Sequence, residues 1–326
     1  MRPKVVITRK IPEDGLRLLA EKYTVSLNEK NRPITRNELE ELLLDASALL
    51  CMLNDNVDEG ILKGAPKLKI VSNLAVGTNN VDLKACTRMG IVVTNTPGVL
   101  TEATADLTFA LLLAVTRRIV EGDRFMRDGK FDGWDPLLLV GGDLYGKTLG
   151  IIGMGRIGQA VARRALGFGM KIVYNNRNPV SAETARLLEA SYAPLEEVIR
   201  QADFLTLHLP YYPGVHHLIN GERLKMMKPG AYLINTARGA HLDEKSLVEH
   251  LKDKRIAGAA LDVFEKEPEL APSLTGLDNV VLIPHLGSAS AETRKKMAVM
   301  AAESICDLLD GIKPERVVNR EVYDQE

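Results

Sequence analysis

Leu149-Gly150-Ile151-Ile152-Gly153-Met154-Gly155-Arg156-Ile157-Gly158 is the stretch on which the reading of this chain turns. A short strand-like run passes directly into a Gly-x-Gly-x-x-Gly turn, and a helical pattern carried by Ile157, Val161, Ala162 and Leu166 follows. Gly153 permits the tight turn, Gly155 lets the backbone approach a pyrophosphate, and Gly158 allows a helix to pack close to the strand. The helix start at Arg156 and Ile157 supplies oriented N–H groups and the positive end of a dipole. With a second strand expected at Lys171 to Tyr174, the context predicts a βαβ unit that binds a dinucleotide.

The end of that second strand bears on which dinucleotide. An acid about 20 residues beyond the glycines would bond a ribose 2′-OH and repel a 2′-phosphate. Here the strand ends Tyr174-Asn175-Asn176-Arg177-Asn178, with no acid. Asn176 and Arg177 can donate to a phosphate, the arginine as a fork. NADPH is therefore expected over NADH, with NAD possible. A methyltransferase would also want an acid at this strand end, so its absence counts against that rival.

Working outward, β-branched runs alternate with amphipathic stretches, which predicts parallel α/β sheets. Downstream, strands are expected at Leu149 to Ile152, Lys171 to Tyr174, Phe204 to Leu207, Tyr232 to Asn235, Ala257 to Leu261 and Val280 to Ile283, making one doubly wound sheet of six. Upstream, strands are expected at Val5 to Thr8, Val25 to Leu27, Ala48 to Met52, Lys69 to Ser72 and Ile91 to Thr94. Thr35-Arg36-Asn37-Glu38 has the capping-box pattern of a helix start. Thr96-Pro97-Gly98 marks a domain crossing. One helix is expected from about Glu102 to Met126 and another from Ala291 to Leu309. The glycine-rich segment Asp128 to Gly146, with Trp134 and Pro136, reads as an excursion between regular regions.

Composition sets the class. The 326 residues, 45% apolar and 26% charged, suit a two-domain globular enzyme. Charges of 42 and 43 nearly cancel, so no positive field attracts nucleic acid or an anionic membrane. No apolar stretch approaches the roughly 18 residues of a membrane span. The opening Met1-Arg2-Pro3-Lys4 lacks an export signal, and Cys51, Cys86 and Cys306 form no disulfide or zinc pattern. A cytoplasmic protein with cysteines as small buried hydrophobes is expected.

Three residues past strand ends carry chemistry: Arg238 in Asn235-Thr236-Ala237-Arg238-Gly239, Glu267 in Asp262-Val263-Phe264-Glu265-Lys266-Glu267-Pro268, and His285 in Ile283-Pro284-His285-Leu286-Gly287-Ser288. Open α/β sheets bind ligands at that end. Hydride reduction of a ketone leaves an alkoxide to be protonated, which a histidine can do. A carboxylate at its second ring nitrogen would hold the imidazole, and a guanidinium could anchor a substrate carboxylate and polarise the neighbouring carbonyl. Such a reaction calls for no metal. His216 and His217 are adjacent but lack a matching carboxylate, and read as structural or surface residues, not metal ligands.

These segments, in this order and spacing over nearly the whole chain, resemble the D-isomer-specific 2-hydroxyacid dehydrogenases. Trp134-Asp135-Pro136, Gly142-Asp143-Leu144 and Gly146-Lys147-Thr148-Leu149-Gly150 are most similar to the glyoxylate/hydroxypyruvate reductase branch. The resemblance implies Arg238, Glu267 and His285 as the catalytic set, acting on a small 2-oxo acid. It implies a Rossmann-type coenzyme domain, 99–287, inserted into a discontinuous flavodoxin-like substrate domain, 1–98 with 288–326, and an active site in the cleft. Val76 and Gly77 would hold the substrate carboxylate, with Leu53 close by. Thr104 and Asp262 would border the nicotinamide, and Thr236, Ala237 and Gly287 would also meet the coenzyme. The segment 120–146 resembles a dimerisation arm, implying a homodimer in which Trp134 could reach the partner's site. After Leu209-Pro210 the family usually has threonines, whereas this chain has Tyr211-Tyr212-Pro213-Gly214-Val215-His216, expected on the nicotinamide side.

Alternatives stay open within that resemblance. Reduction of 2-ketogluconate, pyruvate or phosphohydroxypyruvate uses the same chemistry, the last usually in chains with extra regulatory domains. A phosphite-oxidising relative is another. Some relatives are dinucleotide-sensing corepressors that keep the same triad, although the missing acid favours an NADPH reductant.

Overall fold

The computed structural model describes residues 2–30 and 32–324. The chain divides into two compact units, 1–100 with 289–326, and 101–288.

In the first unit, β1 (Lys4–Ile7), β2 (Thr24–Leu27), β3 (Ala48–Cys51), β4 (Ile70–Asn73) and β5 (Val92–Thr94) form a five-stranded parallel sheet in the order β2-β1-β3-β4-β5. β3, β4 and β5 are buried throughout, as expected of strands covered on both faces. One apolar layer brings Val6, Leu49 and Val71 together with Leu43, Ile61 and Cys86. The other sets Val5, Ile7 and Ile70 against Met297, Ala298 and Ile305 of the helix Ala291–Leu309. This helix keeps the bounds its periodicity predicts. Thr35 and Glu38 form the expected capping box at the head of Arg36–Leu43. Cys51 and Cys86 are buried, and burial pushes both thiols up.

In the second unit, β6 (Thr148–Ile152), β7 (Lys171–Asn175), β8 (Ala190–Tyr192), β9 (Phe204–Leu207), β10 (Tyr232–Asn235), β11 (Gly258–Leu261) and β12 (Val280–Leu282) make a parallel sheet in the order β12-β11-β10-β9-β6-β7-β8. β6 pairs with both β7 and β9, so the chain reverses its direction of travel across the sheet there. The carboxyl ends of β6 and β9 flank the crevice where doubly wound sheets take their ligands.

Two expectations are corrected. The sheet has seven strands, not six, because Ala190-Ser191-Tyr192 pairs with β7. Three residues on an exposed edge carry too little pattern to read. The expected helix from Glu102 to Met126 is two helices, Thr101–Thr116 and Ile119–Arg127. Arg118 between them takes a left-handed φ of 52°. The carbonyl of Thr116, orphaned by the break, accepts a 3.1 Å bond from the returning N–H of Gly142. No helix among the described residues is long and apolar enough to cross a membrane.

Candidate active site

Gly153 stands at the end of β6 with φ of 97°, against the His208–Leu209 backbone; a Cβ there would come within 2.6 Å of the His208 carbonyl. Only glycine fits both demands. A Cβ on Gly158 would lie 2.1 Å from the Gly153 carbonyl oxygen, so this residue lets the helix Arg156–Gly167 start tight on the turn. At Gly155 a Cβ would meet open space. That helix has no side-chain cap and no acid in its first turn, so the N–H groups around Arg156 and Ile157 fit an anionic group. The turn is braced from β7: Gly153 N–H donates to Asn175 O at 2.9 Å and Met154 N–H to the Asn176 side chain at 3.3 Å.

Arg177 follows, its guanidinium 5.7 Å from the ring centre of Tyr212. The sequence departure after Pro210 therefore reaches the end of β7, the ribose side of such a crevice, through Tyr212.

Across the sheet, β10, β11 and β12 each end in a turn carrying one of the three predicted residues. His285 has a left-handed φ of 54°. Its Nδ1 lies 2.9 Å from Glu267 Oε2 and 3.2 Å from Oε1. Oε1 also accepts from the Phe264 N–H at 3.1 Å. Burial would raise the Glu267 carboxyl, but the bond and charge of His285, the Phe264 N–H and the Arg238 charge outweigh it and hold it below its ordinary value. Arg238 is mostly buried and donates to the Ala237 carbonyl at 2.7 Å. Desolvation lowers its pKa against the opposing pull of Glu267. The Asn235 side chain fixes its turn, accepting from Ala237 N–H and donating to Arg238 O.

Asp262 is fully buried. Its carboxylate accepts from the N–H groups of Leu286 and Gly287. Burial pushes it up despite those bonds and the nearby His285. Thr104 Oγ1 donates to Gly287 O at 2.9 Å, and Thr108 Oγ1 bonds both Thr104 O and the Thr236 hydroxyl. Thr104, Thr236, Ala237, Asp262 and Gly287 thus gather around one seam next to the histidine turn. Thr108 belongs to it as well; inside an apolar helix repeat its hydroxyl gave no sequence signal.

In the first unit, Leu53 lies in the turn after β3, and Val76 and Gly77 lie in the loop after β4. The carbonyl of Ala75 accepts from Thr96 N–H at 2.9 Å, and that of Val76 accepts from the Asn95 side chain at 2.7 Å. Because N–H and C=O point oppositely across a trans peptide, these two bonds fix the directions of the Val76 and Gly77 N–H groups. Asn73 holds the Gly77 carbonyl, and Asn80 ties the loop to Met52 and Asp55. Sequence reasoning passed over these asparagines: Asn73 closes β4 and Asn80 stands in the turn that follows, and neither position carries a motif.

A sequence model described as "D-isomer specific 2-hydroxyacid dehydrogenase, NAD binding domain" matches residues 109–287. The chain belongs to the D-isomer specific 2-hydroxyacid dehydrogenases. Within that family it groups with glyoxylate reductases: it is 49% identical to the glyoxylate reductase of Pyrococcus furiosus over 99% of this chain and 97% of the relative. Among solved structures of the fold, a Thermus thermophilus protein superposes with TM-score 0.91 at 45% identity, covering 97% of this chain and 99% of that one. An NADPH-dependent glyoxylate/hydroxypyruvate reductase from Sinorhizobium meliloti, solved with NADP and malonate, has TM-score 0.86 and 32% identity over 99% and 98% of the two chains. As in this family of dehydrogenases, the second unit is a nicotinamide dinucleotide-binding domain.

Proposed function

We propose that this dehydrogenase reduces small 2-oxo acids, glyoxylate to glycolate and hydroxypyruvate to D-glycerate, with NADPH preferred to NADH. The observation that carries the reading is the His285–Glu267 pair, at 2.9 Å, in the unit that holds the glycine turn. The coenzyme, when bound, supplies a hydride. Residues Gly153, Gly155, Arg156, Ile157 and Gly158 would cradle its pyrophosphate, and Asn176 and Arg177 would take a ribose 2′-phosphate. Thr104, Thr236, Ala237, Asp262 and Gly287 would border it elsewhere.

With Nδ1 facing Glu267, His285 turns Nε2 to the substrate and gives its proton to the oxygen on which charge develops. Glu267 holds the ring and favours its charged form. Arg238 anchors the substrate carboxylate and polarises the adjacent carbonyl. The N–H groups of Val76 and Gly77 are assigned to that carboxylate, with Leu53 bordering the substrate. The first unit is accordingly the substrate-binding domain.

The arm around 120–146 supports a homodimer. Phe131, Trp134, Leu137, Val140 and Tyr145 are all exposed on it, and exposed apolar side chains gathered on one segment suit a surface that a partner covers. A cytoplasmic location suits the three unpaired cysteines.

The test is oxidation of NADPH and NADH at 340 nm with glyoxylate, hydroxypyruvate, 2-ketogluconate and pyruvate. Highest kcat/KM with NADPH and glyoxylate or hydroxypyruvate is expected. No turnover on any of the four, or a preference for NADH, would overturn the corresponding part of the reading.

A further inference from the structure

We infer that His216, His217 and Glu265 form a site for a divalent transition-metal ion of the zinc class. The expectation that these histidines lack a matching carboxylate is corrected: one comes from the turn after β11, distant in sequence. One ligand atom from each residue lies within 4.8 Å of the other two. Glu265 Oε1 is 3.0 Å from His217 Nε2, and the two imidazoles stack with centroids 4.0 Å apart.

Adjacent residues of an extended chain point to opposite sides. His217 departs from that with a left-handed φ of 49°, unusual for a residue other than glycine, and its ring stays beside that of His216. Two imidazole nitrogens and one carboxylate oxygen are a zinc donor set with a fourth position left for water. In tetrahedral coordination with Zn–N and Zn–O bonds of about 2.1 Å, donors sit roughly 3.4 Å apart. Glu265 Oε1 and His217 Nε2 are already within that distance, and the exposed His216 would bring in the third donor by a side-chain rotation.

His216 has an outer-shell partner on its ring, as metal ligands commonly do, and the other two residues are held through their backbones. The Tyr211 hydroxyl lies 3.3 Å from His216 Nδ1. His217 N–H donates to Ala240 O at 2.9 Å, and Glu265 N–H donates to Glu244 Oε1 at 2.6 Å. Gly239 presses on the same peptide: a Cβ there would meet Phe264 C at 1.8 Å and Glu265 N at 2.3 Å. An ion would therefore clip the 216–217 loop to the segment that carries Asp262 and Glu267, next to the Arg238 turn.

The experiment uses the full chain without an affinity tag, stripped with chelator, and titrated with Zn2+ by calorimetry and with Co2+ by visible absorption. One ion per chain is expected, with a melting temperature that rises on Zn2+ addition because the ion binds the folded state. His216→Ala and Glu265→Gln should each weaken binding by about tenfold or more and remove the rise. Circular dichroism and metal-free melting temperatures matching the parent would show both variants folded. Absence of saturable binding up to about 1 mM Zn2+, or equal affinity in parent and both variants, would overturn the site; the second result would place the ion elsewhere, for example on His285 and Glu267. Neither outcome depends on which 2-oxo acid is reduced.

Discussion

The turns that carry Arg238, Asp262, Glu267 and His285 and the arm 128–146 belong to the same unit and are built on opposite terms. In the turns, each ionised side chain is held by a neighbour before any ligand arrives: Glu267 by His285 and Phe264, Asp262 by two backbone N–H groups, Arg238 by the Ala237 carbonyl. On the arm, Trp134 is 84% and Leu137 82% exposed, and apolar area faces water. Preformed polar groups stabilise charge in a reacting small molecule without reorganising. An apolar arm gains by being covered with protein.

That contrast breaks most sharply at the histidine. His285→Ala is expected to lower kcat for glyoxylate reduction by about 10²- to 10⁴-fold while leaving the sedimentation behaviour intact. A loss under tenfold would remove the histidine from proton transfer. On the arm the opposite pattern is expected: Trp134→Asp combined with Leu137→Asp should weaken self-association by at least about 30-fold, since central aromatic anchors cost roughly 2 kcal/mol or more when lost. Sedimentation velocity across a concentration series reads this, and a species unchanged in size would show that the arm is not the interface.

Smaller effects sharpen the coenzyme side. Arg177→Ala should reduce the NADPH-to-NADH ratio of kcat/KM by about tenfold, the worth of one charged hydrogen bond. Tyr212→Ala, which removes only the ring beneath the guanidinium, should raise the NADPH KM by about two- to fivefold. A Tyr212 effect equal for both coenzymes would mean the ring does not act through Arg177.

The smallest effect concerns acid. Glu267 has a folded pKa below its ordinary value, so its ionised form stabilises the fold above the unfolded value of about 4.3, and that contribution disappears as pH falls through the lower folded value. Glu267→Gln should therefore lose less melting temperature than the parent between pH 6 and pH 3. Parallel melting curves against pH would contradict the depressed value.

Much of this was readable in residue order because local chemistry dictated it. The glycine turn follows from what a strand-to-helix joint beside a phosphate requires, and the helix Ala291–Leu309 from an uninterrupted apolar period. What escaped depended on partners distant in sequence. The break after Thr116 is satisfied by Gly142 returning from the arm, Ala190–Tyr192 becomes a strand only beside β7, and Glu265 reaches His217 across 48 residues. The asparagines that orient the Val76 loop act through backbone carbonyls, which no side-chain pattern records.

Three consecutive amides, those of His285, Leu286 and Gly287, all donate to the single residue Asp262. Their hydrogens are expected to trade slowly with solvent deuterium, because all three bonds must open for the turn to leave Asp262. Under the proposed function, the turn that aims His285 is thus pinned to the end of β11 by one buried residue, and slow amide exchange at these three positions is the expected mark of an aim set by the fold.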